Sequence, residues 1–212
     1  MSSALTVDLF AEDRAHEEFL RAMLNRIAND QERRLTVRVR SARGGHPRVL
    51  EELKLYQTSV LKAPESLPMP DLLFIAIDAN CKRWSRARNE IQETIQPQFA
   101  ARSIVVCPDP HVERWYLADP DSFAQVVGIR PKIGKRKCER GRYKAILSKA
   151  IVDAGHPPTL GGIEFAQELV AAMDLYRAGK NEASLKHFLD DTFARMKTLQ
   201  AERAVTSSAI SD

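Results

Sequence analysis

Four short apolar runs, separated by segments with helical spacing, constrain this chain more than anything else in it. LTVDLFA (5–11) is β-branched and apolar and stops at Glu12-Asp13. LTVRVRSA (35–42) alternates in the manner of a half-exposed strand and leads into the turn Gly44-Gly45. DLLFIAID (71–78) is apolar without alternation, the pattern of a strand buried on both faces. SIVVC (103–107) repeats that pattern and ends at Pro108-Asp109-Pro110. Between the runs, Asp13 reads as the N-cap of a helix carrying Phe19, Leu20, Met23, Leu24 and Ile27. Pro47 starts a second helix through Leu50, Leu53 and Leu55, and Ser85 caps a third that Pro97 stops. Strand and helix in alternation predict an α/β fold, a Rossmann-like parallel sheet with helices on both faces.

The last third changes character. DPDSFAQVVG (119–128) predicts a short helix capped by Asp121 or Ser122 and stopped by Gly128. Two further helical stretches follow, one marked by Phe165, Leu169, Met173 and Tyr176, the other by Leu185, Phe188, Leu189, Phe193 and Met196. The expected organisation is an α/β domain over 1–129, a basic segment with a C-terminal helical appendage over 130–205, and a disordered polar tail over 206–212. A chain of 212 residues that is 44% hydrophobic and 28% charged has ample material for a core, which excludes disordered and fibrous classes. No run is long enough to cross a bilayer, and MSSALTVDLF shows neither the basic nor the long apolar part of a secretory leader, so no membrane association is expected. The three cysteines are odd in number, far apart and without a CxxC pair. That argues against disulfides and zinc knuckles and for a reducing cytoplasm.

The net charge of +4 hides a strong asymmetry. Nine of the 32 Lys and Arg residues fall in 130–149 with a single acidic residue, Glu139. Such a segment is either a solvated face or a contact for nucleic acid or another phosphate-rich partner. Its cations include Lys135, Arg136, Lys137, Arg140 and Arg142; Arg43 and Arg48, around Gly44-Gly45, are a second candidate phosphate site at a helix start.

In an open parallel sheet the working residues gather beyond the carboxyl ends of the strands. Here those ends carry Glu12 and Asp13, then Asp78 and Asn80, then Asp109 followed by Glu113. Oxygen ligands of this kind suit Mg²⁺ or Mn²⁺, although acids at strand ends also serve as helix caps. Near them, His16 could reach the metal edge or a phosphate but reads rather as a partly exposed structural histidine, and His111 is a neighbour of Glu113 able to support the site or to act as a general acid. Trp84 and Trp115 are candidates for base stacking or for the core, and Cys138, among cations, has the setting of a lowered thiol pKa.

A first strand ending in Glu (DLFAE), an amphipathic helix, and a central strand ending in a D-x-D-like FIAIDAN together resemble the Toprim domain. The run PDPHVERWYLAD (108–119) is similar to a stretch in small standalone Toprim-like proteins of the RloB type, related to OLD-family nucleases and associated with phage-defence or restriction loci. The resemblance covers roughly residues 5–125. It implies that Glu12, Asp78 and Glu113 are catalytic, that these three with Asn80 hold Mg²⁺ or Mn²⁺, and that an ABC- or AAA-type ATPase is a partner. Two positions depart from the pattern: Asp13 replaces the usual glycine, and Asn80 replaces an acid. The expected activity is metal-dependent hydrolysis of DNA or RNA. The alternative is a catalytically degenerate module that binds nucleic acid or a partner, and the sequence leaves homo-oligomer formation open.

Overall fold

A computed structural model of the protein describes residues 4–40, 45–135 and 138–209. In chain order it contains β1 (Leu5–Ala11), α1 (Arg14–Asp30), β2 (Leu35–Val39), α2 (His46–Lys62), β3 (Leu72–Ala76), α3 (Trp84–Gln92), α4 (Pro97–Ala100) and β4 (Ser103–Val106). There follow α5 (Glu113–Tyr116), α6 (Pro120–Val127), α7 (Arg142–Asp153), a 3-10 turn (Ile163–Phe165), α8 (Ala166–Ala172), α9 (Leu175–Asn181) and α10 (Ala183–Ala209). The strands form an all-parallel sheet in the order β2-β1-β3-β4, with helices on both faces. This is the Rossmann-like α/β fold that the alternation predicts.

The pleat sorts side chains into two cores. Val7, Leu9, Phe74 and Val106 face the core shared with α1, α7, α8 and α10, whereas Phe10, Leu73, Ile75 and Val105 face the one shared with α2 and α3. Each fully buried Leu or Phe contributes about 1.5–3 kcal/mol of transfer free energy, so neither face stands without its helices. One polar residue interrupts β1. Asp8 is fully buried and accepts two bonds from Arg38, its register partner on β2, and one from the Tyr56 hydroxyl on α2. Its charge is thereby matched rather than stranded.

From β1 the chain leaves through α1 to β2 at the sheet edge, then returns through α2 on the opposite face to β3, on the other side of β1. β1 and β3 are therefore neighbours whose outgoing connections diverge, and a crevice opens between their carboxyl ends.

Local boundaries differ from expectation where proline and capping chemistry compete. Ser85 does not cap α3, whose N-cap position is Arg83; Pro97 opens α4 instead of ending α3, using the position where its missing N–H costs nothing. Asp119, not Asp121 or Ser122, precedes α6, with Pro120 inside the first turn and Gly128 closing the helix at φ 95°. The buried Asp119 carboxylate accepts from the Ser122 hydroxyl, the Asp174 N–H and the Arg177 guanidinium, fastening α6 to α9. Helix α10 runs to Ala209, into the segment expected to be a disordered tail.

A disulfide joins Cys81 to Cys138 across 57 residues, with Cα atoms 5.5 Å apart, against the expectation drawn from cysteine count and spacing. Spacing misleads because the sheet brings together two loops that are remote in sequence. The bridge removes the cysteine-based argument for a reducing compartment and the reading of Cys138 as a reactive thiol. Among the described residues, no helix is long and apolar enough to cross a membrane. Closing a loop of this size restricts the unfolded chain by about 4 kcal/mol in the chain-entropy model. Reductant should therefore lower the unfolding free energy in urea by roughly 2–4 kcal/mol, and a Cys81→Ser, Cys138→Ser double variant should show no response to reductant.

Candidate metal centre at the switch point

The crevice between β1 and β3 receives Glu12 from one side and Asp78 from the other. The Asp78 N–H donates to Glu12 Oε2 at 2.9 Å, so the two strand ends are bonded through the side chain of one and the backbone of the other. The alternation of β3 puts Asp78 on the face of Ala76, which α1 covers. His16, in the first turn of α1, meets it there, its Nε2 3.0 Å from Asp78 Oδ1. The loop after β4 closes the third side: the Val112 N–H donates to Asp78 Oδ1 at 2.9 Å, and His111 Nδ1 lies 3.1 Å from Oδ2.

Glu12, His16 and Asp78 each offer a ligand atom, and these atoms lie within 4.8 Å of one another, so the three could hold a metal ion. The donors fit such an ion. One is an imidazole nitrogen, two are carboxylates, and His16 Nε2 is a buried atom without a directed hydrogen bond. His16 is fully buried rather than partly exposed, because α1 presses its first turn onto the sheet; the sequence ranked its reach to the metal edge below a structural role. The available signal was its position three residues after the helix cap and four after Glu12. Asp13 caps α1 as expected, and its Oδ1 accepts both the His16 backbone N–H at 3.1 Å and Nδ1 at 2.8 Å.

The charges in this crevice are driven apart. Burial would lift Asp78, but His16 and His111 outweigh it and hold the carboxyl below its ordinary value. Burial likewise opposes the ionised Asp13, yet His16 brings it down to about 2. For His16 burial favours the neutral ring, and the Asp78 and Asp13 charges reverse this, holding it well above 6.5. The hydrogen bond to Asp78 raises His111. Glu12 and Glu113 move the other way from Asp78: burial raises both, and the nearby Asp78 charge adds to it.

Other candidate residues are less central. Glu113 is buried at the start of α5 and feels Asp78 and Asp13, but its carboxylate is not part of the three-residue group. Asn80 is exposed, lies in the left-handed region at φ 48°, as Cys81 does at 67°, and turns its amide to the Asp78 carbonyl at 3.4 Å. Arg48 is engaged by Glu51 and Glu52 on its own helix, and Arg142 by Glu139. Lys135 and Arg140 are exposed and make no ion pair among the described residues; Arg43, Arg136 and Lys137 lie outside the described residues. Trp115 belongs to the core, and Trp84 stacks on His187 with ring centroids 4.6 Å apart.

The basic segment is fixed beside the crevice at two points. Cys138 is bonded to Cys81, three residues beyond Asp78, and the Tyr143 hydroxyl accepts from Arg114, next to Glu113, at 2.7 Å. Two residues of the basic segment are thus tied to the chain stretches that carry Asp78 and Glu113.

Residues 11–191 match the model of a family described as "Domain of unknown function (DUF4276)", and the chain belongs to that family. No curated protein and no solved structure matches it.

The Asp13–His16–Asp78 trio gives stability a definite pH window. His16 is raised on folding, so its contribution is complete below about 6.5 and is lost as pH climbs past that value. Asp13 is depressed, so its share is present above 3.8 and is lost as pH falls towards 2. In chelator, His16→Gln should cost roughly 3 kcal/mol near pH 5–6, and the gap from wild type in thermal melts should narrow as pH rises through the alkaline range.

Proposed function

We propose that the protein is a divalent-metal-dependent nuclease that hydrolyses phosphodiester bonds in DNA or RNA, as an effector of a phage-defence or restriction-type system. The observation that carries this reading is the convergence of Glu12, His16 and Asp78 on the switch-point crevice, with a cationic segment fastened to the same rim. Mg²⁺ or Mn²⁺ held there supplies Lewis-acid polarisation of a phosphodiester and activation of water. Asp78, kept ionised by its imidazole neighbours, is the fixed anion of the site. Glu12 and Glu113, both raised by burial, are the carboxyl groups placed to accept and return a proton. Lys135 and Arg140 hold the flanking phosphates. The resemblance to standalone Toprim-like proteins adds an ABC- or AAA-type ATPase as the partner in this reading.

A second reading, a binding module without turnover, is favoured by one observation: the protein's own donors already occupy both Asp78 oxygens. Cleavage assays on single- and double-stranded DNA and RNA with Mg²⁺ or Mn²⁺ separate the two. Under the nuclease reading, Glu12→Gln and Asp78→Asn each lose about 10²–10⁴-fold in rate while circular dichroism stays unchanged. Lys135→Ala and Arg140→Ala should each reduce the slope of log affinity against log salt by about one. Absence of cleavage under either metal, with and without a neighbouring ATPase, leaves the binding module standing; calorimetry with Mn²⁺ then asks whether Asp78 binds metal at all.

A further inference from the structure

We infer that His16 is the ligand that decides which metal the centre takes, and that the centre selects Mn²⁺ or a later first-row divalent ion over Mg²⁺. This rests on the metal reading above and narrows it.

The geometry at His16 is that of a metal-ligating histidine with its orienting carboxylate. A carboxylate can only accept, so Asp13 Oδ1, 2.8 Å from Nδ1, fixes a hydrogen on that nitrogen. The same oxygen caps the helix through the His16 backbone N–H at 3.1 Å, locking ring and main chain together. Nε2 is left facing inward. It has no solvent, it makes no directed hydrogen bond, and it lies 3.0 Å from Asp78 Oδ1. An imidazole nitrogen and a carboxylate oxygen at that separation need positive charge between or beside them: without metal a proton on Nε2 supplies it, and a cation shared with Glu12 would take that proton's place. Carboxylate–histidine–metal triads are the usual way a protein sets a histidine ligand's tautomer and direction. In that light Asp13 is not a damaged glycine position but the group that aims His16.

The nitrogen changes the selectivity. Mg²⁺ prefers oxygen, demands near-ideal octahedral geometry and gives up water reluctantly. Imidazole strengthens binding of first-row transition ions, increasingly along the series from Mn²⁺. A site of carboxylates alone would have no such reason to discriminate.

The test is calorimetry of the metal-stripped full chain with MnCl₂ and MgCl₂, together with pulsed electron paramagnetic resonance of the Mn²⁺-loaded protein. The expected result is at least about tenfold tighter binding of Mn²⁺, with nuclear modulation from a directly bound imidazole nitrogen. Asp13→Asn keeps a competent helix cap and so the fold; it should weaken Mn²⁺ by about 10–100-fold and Mg²⁺ far less. Mn²⁺ binding without nitrogen modulation, or with affinity equal to that for Mg²⁺, overturns the role of His16 and leaves a carboxylate-held metal intact. Failure of both ions to bind overturns this inference and the metal reading together.

Discussion

Asp78 is held from three directions, and the rim is organised around that fact. Its N–H reaches Glu12 at the end of β1, one oxygen takes the Val112 N–H while facing His16, and the other faces His111. A single residue, through its backbone N–H and its carboxylate, thus links β1, α1, β3 and the loop after β4. In a low-dielectric crevice such bonds strengthen one another, and losing the shared acceptor would strand two imidazoles and a backbone donor at once. The same residue sets neighbouring charges: its carboxylate raises Glu113 and the two histidines while staying ionised itself.

How much of this could be read in advance depended on whether the deciding contact was local. The strands were legible because burial on both faces leaves a continuous apolar run, as in 71–78, and Asp13 was legible as a cap because capping involves only the next turn. Glu12 and Asp78 followed from their places at strand ends. His16 was legible only as near the metal edge, since its meeting with Asp78, 62 positions further along the chain, does not follow from its place in the first turn of α1. The disulfide was hidden for the same reason. Asp119 was overlooked as a helix start because its carboxylate caps no backbone N–H of the helix it precedes and accepts instead from the Ser122 hydroxyl and the distant Asp174 and Arg177.

The fold also explains why the acidic crevice and the basic segment belong to one surface. The segment follows β4 and α6, well away in sequence from Glu12, yet the Cys138 bridge and the Tyr143–Arg114 contact fix it next to the strand ends. The modest overall charge therefore says little about how charge is distributed, with acids gathered at the strand ends and nine cations in 130–149.

Alternation along β3 makes this centre sensitive to length more than to identity. Successive residues of that strand point to opposite faces, and Asp78 reaches α1 only because an odd number of residues, Ile77 alone, separates it from Ala76. Removing or adding one position upstream would rotate the carboxylate towards α2 and disperse the group without altering any member of it. Aliphatic exchanges that preserve bulk leave the aim of Asp78 unchanged; a shift in the count of residues does not.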